Sequence, residues 1–202
     1  MKMNLPNKLS VLRMIMVPIF MVVMLLPVFT NFPSTADTIL TLVGAFLFIA
    51  ASITDMLDGK IARKYNLVTD FGKFIDPLAD KFMVLGSMLA ILAWMFLRGQ
   101  FTQGLVFVWV VLIILFRELA VTSMRLVVAG KKVKVDLAAN MMGKLKTVSQ
   151  MVGTVLIIIE PLIFGCNHVM SYACMAVMAF TTVVSGWNYL MGYLPYIVSS
   201  DD

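Results

Sequence analysis

Charge is scarce in this chain. Asp, Glu, Lys and Arg make up 13% of its 202 residues, where a soluble domain carries about 25%. The chain also has several apolar runs of about 20 residues and a mean hydropathy of +0.96. Together these exclude a soluble globular protein and predict an all-α polytopic integral membrane protein. Cysteine is nearly missing too. Cys166 and Cys174 are the only two, both near one expected outer loop, where a disulfide is open but two buried thiols are the plainer reading. The single histidine, His168, lies in the same loop. Repeats and low-complexity tracts are absent. The longest non-apolar interruptions, roughly 59–73 and 129–146, leave no room for a soluble domain, so residues 1–202 read as one membrane domain.

What is present is a series of apolar segments. Their lengths predict six spanning helices, over about 10–30, 36–58, 72–97, 103–128, 147–164 and 170–194. Residues 1–9 are mixed and basic and read as a segment lying at the membrane interface. Ser10 is placed to cap the first helix. A cleaved signal peptide is the rival reading of this end, but the apolar run is long for one and Arg13 interrupts it. Lys60, Arg63, Lys64 and Asp70 fall in an expected loop after the second helix. A second basic loop carries Lys131, Lys132, Lys134, Lys144 and Lys146.

Six helices put both termini, the 59–81 region and the 117–146 region on one side. Of the 16 Lys and Arg, only Arg98 falls on the other. The positive-inside rule therefore predicts cytoplasmic termini. His168 and both cysteines then lie at the opposite face.

Four acids stand out at the cytoplasmic end. Asp55 and Asp58 are i,i+3 neighbours on the second helix, and Asp76 and Asp80 are i,i+4 neighbours on the third, so each pair shares a face. Two such helices side by side would bring four carboxylates into one pocket. They would repel one another without cations between them, and oxygen-only ligands suit Mg²⁺ or Mn²⁺. Helix-end acids paired with Lys60, Arg63, Lys73 and Lys81 would explain the charges but not the regular spacing. Gly59, Ala62 and Gly72 remove side-chain bulk beside the acids, which lets a ligand approach the backbone. Arg63 adds a fork suited to phosphate.

The run Asp55-x2-Asp58-Gly59-x2-Ala62-Arg63-x8-Gly72-x3-Asp76-x3-Asp80 resembles the signature of the CDP-alcohol phosphotransferase family, with each element and gap present. The resemblance implies a six-helix membrane enzyme, usually a homodimer. Such an enzyme transfers a phosphatidyl-type group from a CDP-linked lipid to an alcohol and releases CMP. It implies two divalent ions, Mg²⁺ or Mn²⁺, acting as a clamp. Their ligands would be Asp55, Asp58 and Asp76, with Asp80 as a further ligand, as general base for the acceptor hydroxyl, or as both. Asp76 and Asp80 are thus the catalytic candidates. Asp58, Gly59, Ala62 and Arg63, with Gly72 and Lys73, would bind the nucleotide and pyrophosphate of the donor.

A second stretch bears on the acceptor. Arg117 and Arg125 are eight residues apart, close to two helical turns, and so lie roughly on one face. Lys144 and Lys146 start the next helix on the same side. A cationic set beside a metal site suits an acceptor that carries its own phosphate, whereas choline or ethanolamine would call for an aromatic cage or acids. Lys131, Lys132 and Lys134 need only contact lipid headgroups. The Arg117-Glu118 pair, Arg125-Leu126, Gly143-Lys144-Leu145-Lys146-Thr147 and the start Leu5-Pro6-Asn7-Lys8-Leu9-Ser10-Val11-Leu12-Arg13 resemble the family's glycerophosphate-accepting branch. That implies sn-glycerol 3-phosphate as acceptor, clamped by Arg117, Arg125, Lys144 and Lys146, and CDP-diacylglycerol as donor. Membrane lipids and a second copy of the chain are the other implied partners, with no nucleic acid. An inositol phosphate acceptor, or phosphatidylglycerol in cardiolipin synthesis, stays open within the family. A divalent-cation transporter is the reading from another class, but its acids belong near the midplane, with broken helices or repeats. The charge bias fits a bacterial inner membrane, with an organelle membrane open as the alternative.

Overall fold

A computed structural model describes residues 4–30, 33–64, 69–130 and 141–198. Side chains are described for these except 56–64, 70, 73, 129, 130, 166, 197 and 198. Six helices follow one another: α1 (Leu5–Phe29), α2 (Ser34–Lys64), α3 (Asp70–Leu97), α4 (Phe101–Gly130), α5 (Met141–Phe164) and α6 (Val169–Val198). One 3₁₀ turn, Gly165–Asn167, joins α5 to α6. Among the described residues there is no strand. All six helices are long and apolar enough to cross a membrane, as the sequence predicts.

Several helix ends differ from expectation. α1 begins at Leu5, and Pro6 sits in its first turn, where a missing N–H costs nothing and the ring pre-sets φ. Ser10 therefore lies inside α1 and caps nothing. α2 runs on to Lys64 and α5 starts at Met141. The basic residues Lys60, Arg63, Lys64, Lys144 and Lys146 thus belong to helices, not to loops. Hydropathy falls at these positions, but Lys, Arg, Ala, Leu and Met are all good helix formers. The start of α3 is capped by Thr69, whose hydroxyl accepts from the Gly72 N–H at 3.0 Å.

α1 packs against α2 and α3, while α6 packs against α4 and α5. The two trios meet through α3–α4 and α2–α5. The shared core is built from Met24, Met83, Ile91, Trp94, Phe107, Ile114, Ile158 and Met178. The outside carries Phe46, Trp109, Phe116, Phe180 and Trp187, an apolar surface that hydrocarbon wets at no cost and water would not. Short connections make successive helices antiparallel, so the acids of α2 and α3 and the bases of α4 and α5 gather at one end. At the other end Arg98 pairs with Asp37 and lies over the Trp94 ring, 4.5 Å from its centroid. Cys174 there is a free thiol. Cys166 lies outside the described side chains.

Candidate active site

α1 presents a polar stripe to the acids. Asn7, Ser10 and Arg13 are spaced by three residues and so occupy one face. All three are buried. Asn7 Nδ2 donates to Thr69 Oγ1 at 2.9 Å. Ser10 Oγ donates to Asp76 Oδ1 at 2.5 Å. Arg13 Nη1 binds both Asp55 Oδ1 on α2 and Asp80 Oδ1 on α3. A single guanidinium nitrogen therefore bridges two carboxylates from two helices and offsets their mutual repulsion. The Arg13 side chain is 1% exposed, Asp55 23% and Asp80 55%. Among the described carboxylates Asp80 is thus the most open to a substrate.

Gly72 has a steric reason to be glycine. A Cβ there would meet Asn7 Oδ1 at 2.7 Å and Thr69 Oγ1 at 3.2 Å. The missing side chain lets the start of α1 close on the start of α3, which brings Ser10 and Arg13 to the acids.

The donor set suits a hard divalent cation: carboxylate oxygens, with Asp55 and Asp80 close enough to share one cationic nitrogen. Among the described residues no three acids converge on one point; Arg13 binds Asp55 and Asp80, and Ser10 holds Asp76. Asp58, Gly59, Ala62, Arg63 and Lys73 lie outside the described side chains.

The bases form a second cluster. Lys81, directly after Asp80, donates from Nζ to Thr122 Oγ1 on α4 at 2.5 Å, tying the acidic half to the basic half. Glu118 accepts from Arg117 Nη1 at 3.1 Å and from Lys146 Nζ. Lys146 is buried and committed to that ion pair, whereas Lys144 is exposed. Arg117 Nη2 also donates to Ser185 Oγ at 2.8 Å, and Arg125 Nη2 donates to the Tyr189 hydroxyl at 3.1 Å. Both guanidinium carbons lie 5.2 Å from the centroid of the Tyr189 ring.

The structure thus joins Arg117 with Arg125 through Tyr189, and Arg117 with Lys146 through Glu118. The site residues that sequence reasoning misses are Asn7, Ser10, Ser185 and Tyr189, together with the pairing of Arg13. Their signal is weak. A serine near a helix start reads as a cap, and a tyrosine in an apolar span reads as core. The one available cue is a buried-depth charge, Arg13, which needs an acid.

A family model described as CDP-alcohol phosphatidyltransferase matches residues 3–187. The chain is 43% identical over 190 residues to a CDP-diacylglycerol–glycerol-3-phosphate 3-phosphatidyltransferase of Bacillus subtilis (strain 168), covering 92% of this chain and 93% of that one. It is 35% identical over 192 residues to a probable phosphatidylglycerophosphate synthase of Mycobacterium tuberculosis (strain H37Rv), covering 93% and 80%. A Rickettsia typhi protein named CDP-diacylglycerol–glycerol-3-phosphate 3-phosphatidyltransferase is 34% identical over 195 residues, covering 96% and 98%.

Proposed function

Because the chain belongs to the CDP-alcohol phosphatidyltransferase family, we propose that it moves the phosphatidyl group of CDP-diacylglycerol onto sn-glycerol 3-phosphate. The products are phosphatidylglycerol phosphate and CMP. The observation that carries this reading is the acid cluster of Asp55, Asp76 and Asp80, tied through the Lys81–Thr122 hydrogen bond to the helix that carries Arg117 and the exposed Arg125.

The donor's acyl chains stay in lipid against the apolar outer faces, while its nucleotide end lies over Asp58, Gly59, Ala62, Arg63, Gly72 and Lys73. Asp55, Asp58, Asp76 and Asp80 would hold two divalent cations, Mg²⁺ or Mn²⁺, whose charge polarises the attacked phosphorus and neutralises departing CMP. Arg117, Arg125, Lys144 and Lys146 draw the acceptor phosphate to the cytoplasmic end, by direct contact or by the field they create. The acceptor's 1-hydroxyl attacks the lipid-side phosphorus. The new P–O bond forms as the P–O bond to CMP breaks, and the hydroxyl proton passes to Asp80, the most open of the described carboxylates. Arg13 keeps Asp55 and Asp80 at a set separation throughout. The protein sits in a bacterial inner membrane with this site facing the cytoplasm, as a homodimer.

The test is CMP release by detergent-purified protein given CDP-diacylglycerol and Mg²⁺ or Mn²⁺. Release should require glycerol 3-phosphate and vanish with EDTA. Release with inositol 1-phosphate or phosphatidylglycerol instead would overturn the acceptor assignment, and undiminished release by Asp80→Asn would overturn the carboxylate assignment.

A further inference from the structure

Two cations on one aromatic ring call for an explanation. Arg117 and Arg125 both lie over Tyr189, each 5.2 Å from the ring centroid. Like charges that close repel, and only Arg117 has a carboxylate partner, Glu118, among the described residues. Arg125 instead has the hydroxyl and ring of Tyr189, and it is exposed. The electron-rich face of the ring attracts both guanidinium groups, so the tyrosine holds them together without cancelling their charge.

The ring itself is held on further sides. Tyr189 is 5% exposed. Tyr193, one turn later, stacks on it with centroids 6.2 Å apart and planes 12° apart. Gly143, at the start of α5, comes so close that a Cβ would stand 3.3 Å from the Tyr189 hydroxyl oxygen. A ring with no room to turn is a fixed platform.

Resting on the acceptor reading above, we propose that Tyr189 is a positioning residue for the acceptor's phosphate. It pre-sets Arg117 and Arg125 as a pair of donors and leaves Arg125 uncancelled for a dianionic group. An arginine on a free side chain must lose its rotamer freedom when a ligand binds; one already seated on the ring has lost it in folding. The effect should appear in acceptor binding and not in the chemical step.

The test compares wild type, Tyr189→Phe and Tyr189→Leu in detergent, by CMP release at varied glycerol 3-phosphate and at varied CDP-diacylglycerol. Tyr189→Phe keeps the ring and loses the hydroxyl's bond to Arg125. Its KM for glycerol 3-phosphate should rise about threefold to tenfold, with kcat and the donor KM within about twofold of wild type. Inorganic phosphate, added as a competitive inhibitor, should weaken by the same factor. Tyr189→Leu removes the platform from both arginines and should raise the acceptor KM by more than Tyr189→Phe does. If Tyr189→Leu does not fold, the Tyr189→Phe result decides alone. An acceptor KM and phosphate inhibition unchanged in Tyr189→Phe would overturn the proposal, as would a fall in kcat with the acceptor KM unmoved. Wild-type protein with no glycerol 3-phosphate-dependent release would instead sink the acceptor reading itself, whatever Tyr189 does.

Discussion

Replacing Arg13 with glutamine should expose how much the carboxylate site depends on α1. Arg13 is 1% exposed and bonds Asp55 and Asp80 together. The two arms are unequal. Asp80 is 55% exposed, so water screens its charge and its arm contributes at most about 1 kcal/mol. Asp55 is 23% exposed, and removing the partner of a buried charge costs about 3–5 kcal/mol; partial exposure lowers this to roughly 2–3. The sum is about 3 kcal/mol, or roughly a hundredfold in the folding equilibrium. Unfolding of the detergent-purified protein by SDS, in metal-free buffer, measures it. Removing the guanidinium also leaves two acids facing each other with less cationic charge between them. Added Mn²⁺ should therefore stabilise Arg13→Gln more than wild type. Arg13→Lys keeps the charge without the planar fork and should fall between the two. Arg13→Gln as stable as wild type without metal, within about 0.5 kcal/mol, would refute the bridging role.

Other perturbations test the surrounding packing. Gly72→Ala should cost about 1–3 kcal/mol and lower CMP release, because its Cβ would strike Asn7 Oδ1; adding Asn7→Gly should restore part of both in a double-mutant cycle. Glu118→Gln strands the buried Lys146 and should cost about 3 kcal/mol by the same SDS assay, with Lys146→Met on top recovering most of it. Glu160, at the far end, accepts from the N–H groups of Met170 and Ser171 at 2.7 and 2.8 Å and so caps α6. Glu160→Ala should cost about 2–3 kcal/mol of stability and leave both KM values unchanged; a shifted acceptor KM would count against the division of the bundle into two chemical ends.

The spans were legible because membrane insertion is a local property. Its free energy is summed along a contiguous segment, so composition alone marks each helix. The acids were legible for a related reason, since i,i+3 and i,i+4 spacing sets which side chains share a helix face before any packing occurs. Helix ends were less so. Lys60 and Arg63 break a hydropathy pattern without breaking a helix, as do Lys144 and Lys146.

Which side chains meet was decided only by tertiary structure. Arg13 reaches Asp55 across 42 residues, Ser10 reaches Asp76 across 66, and Arg125 reaches Tyr189 across 64. No periodicity encodes such pairs. They depend on how near two helices come and how each is turned, and one missing Cβ at Gly72 settles that at the start of α1. The sequence by itself determined six apolar helices and the carboxylates carried by two of them. Packing decided that a first-helix arginine would bind an acid from each of those two helices, and that a last-helix tyrosine would carry the arginines opposite, because close approach of helices is a property of surfaces in contact and not of any one segment.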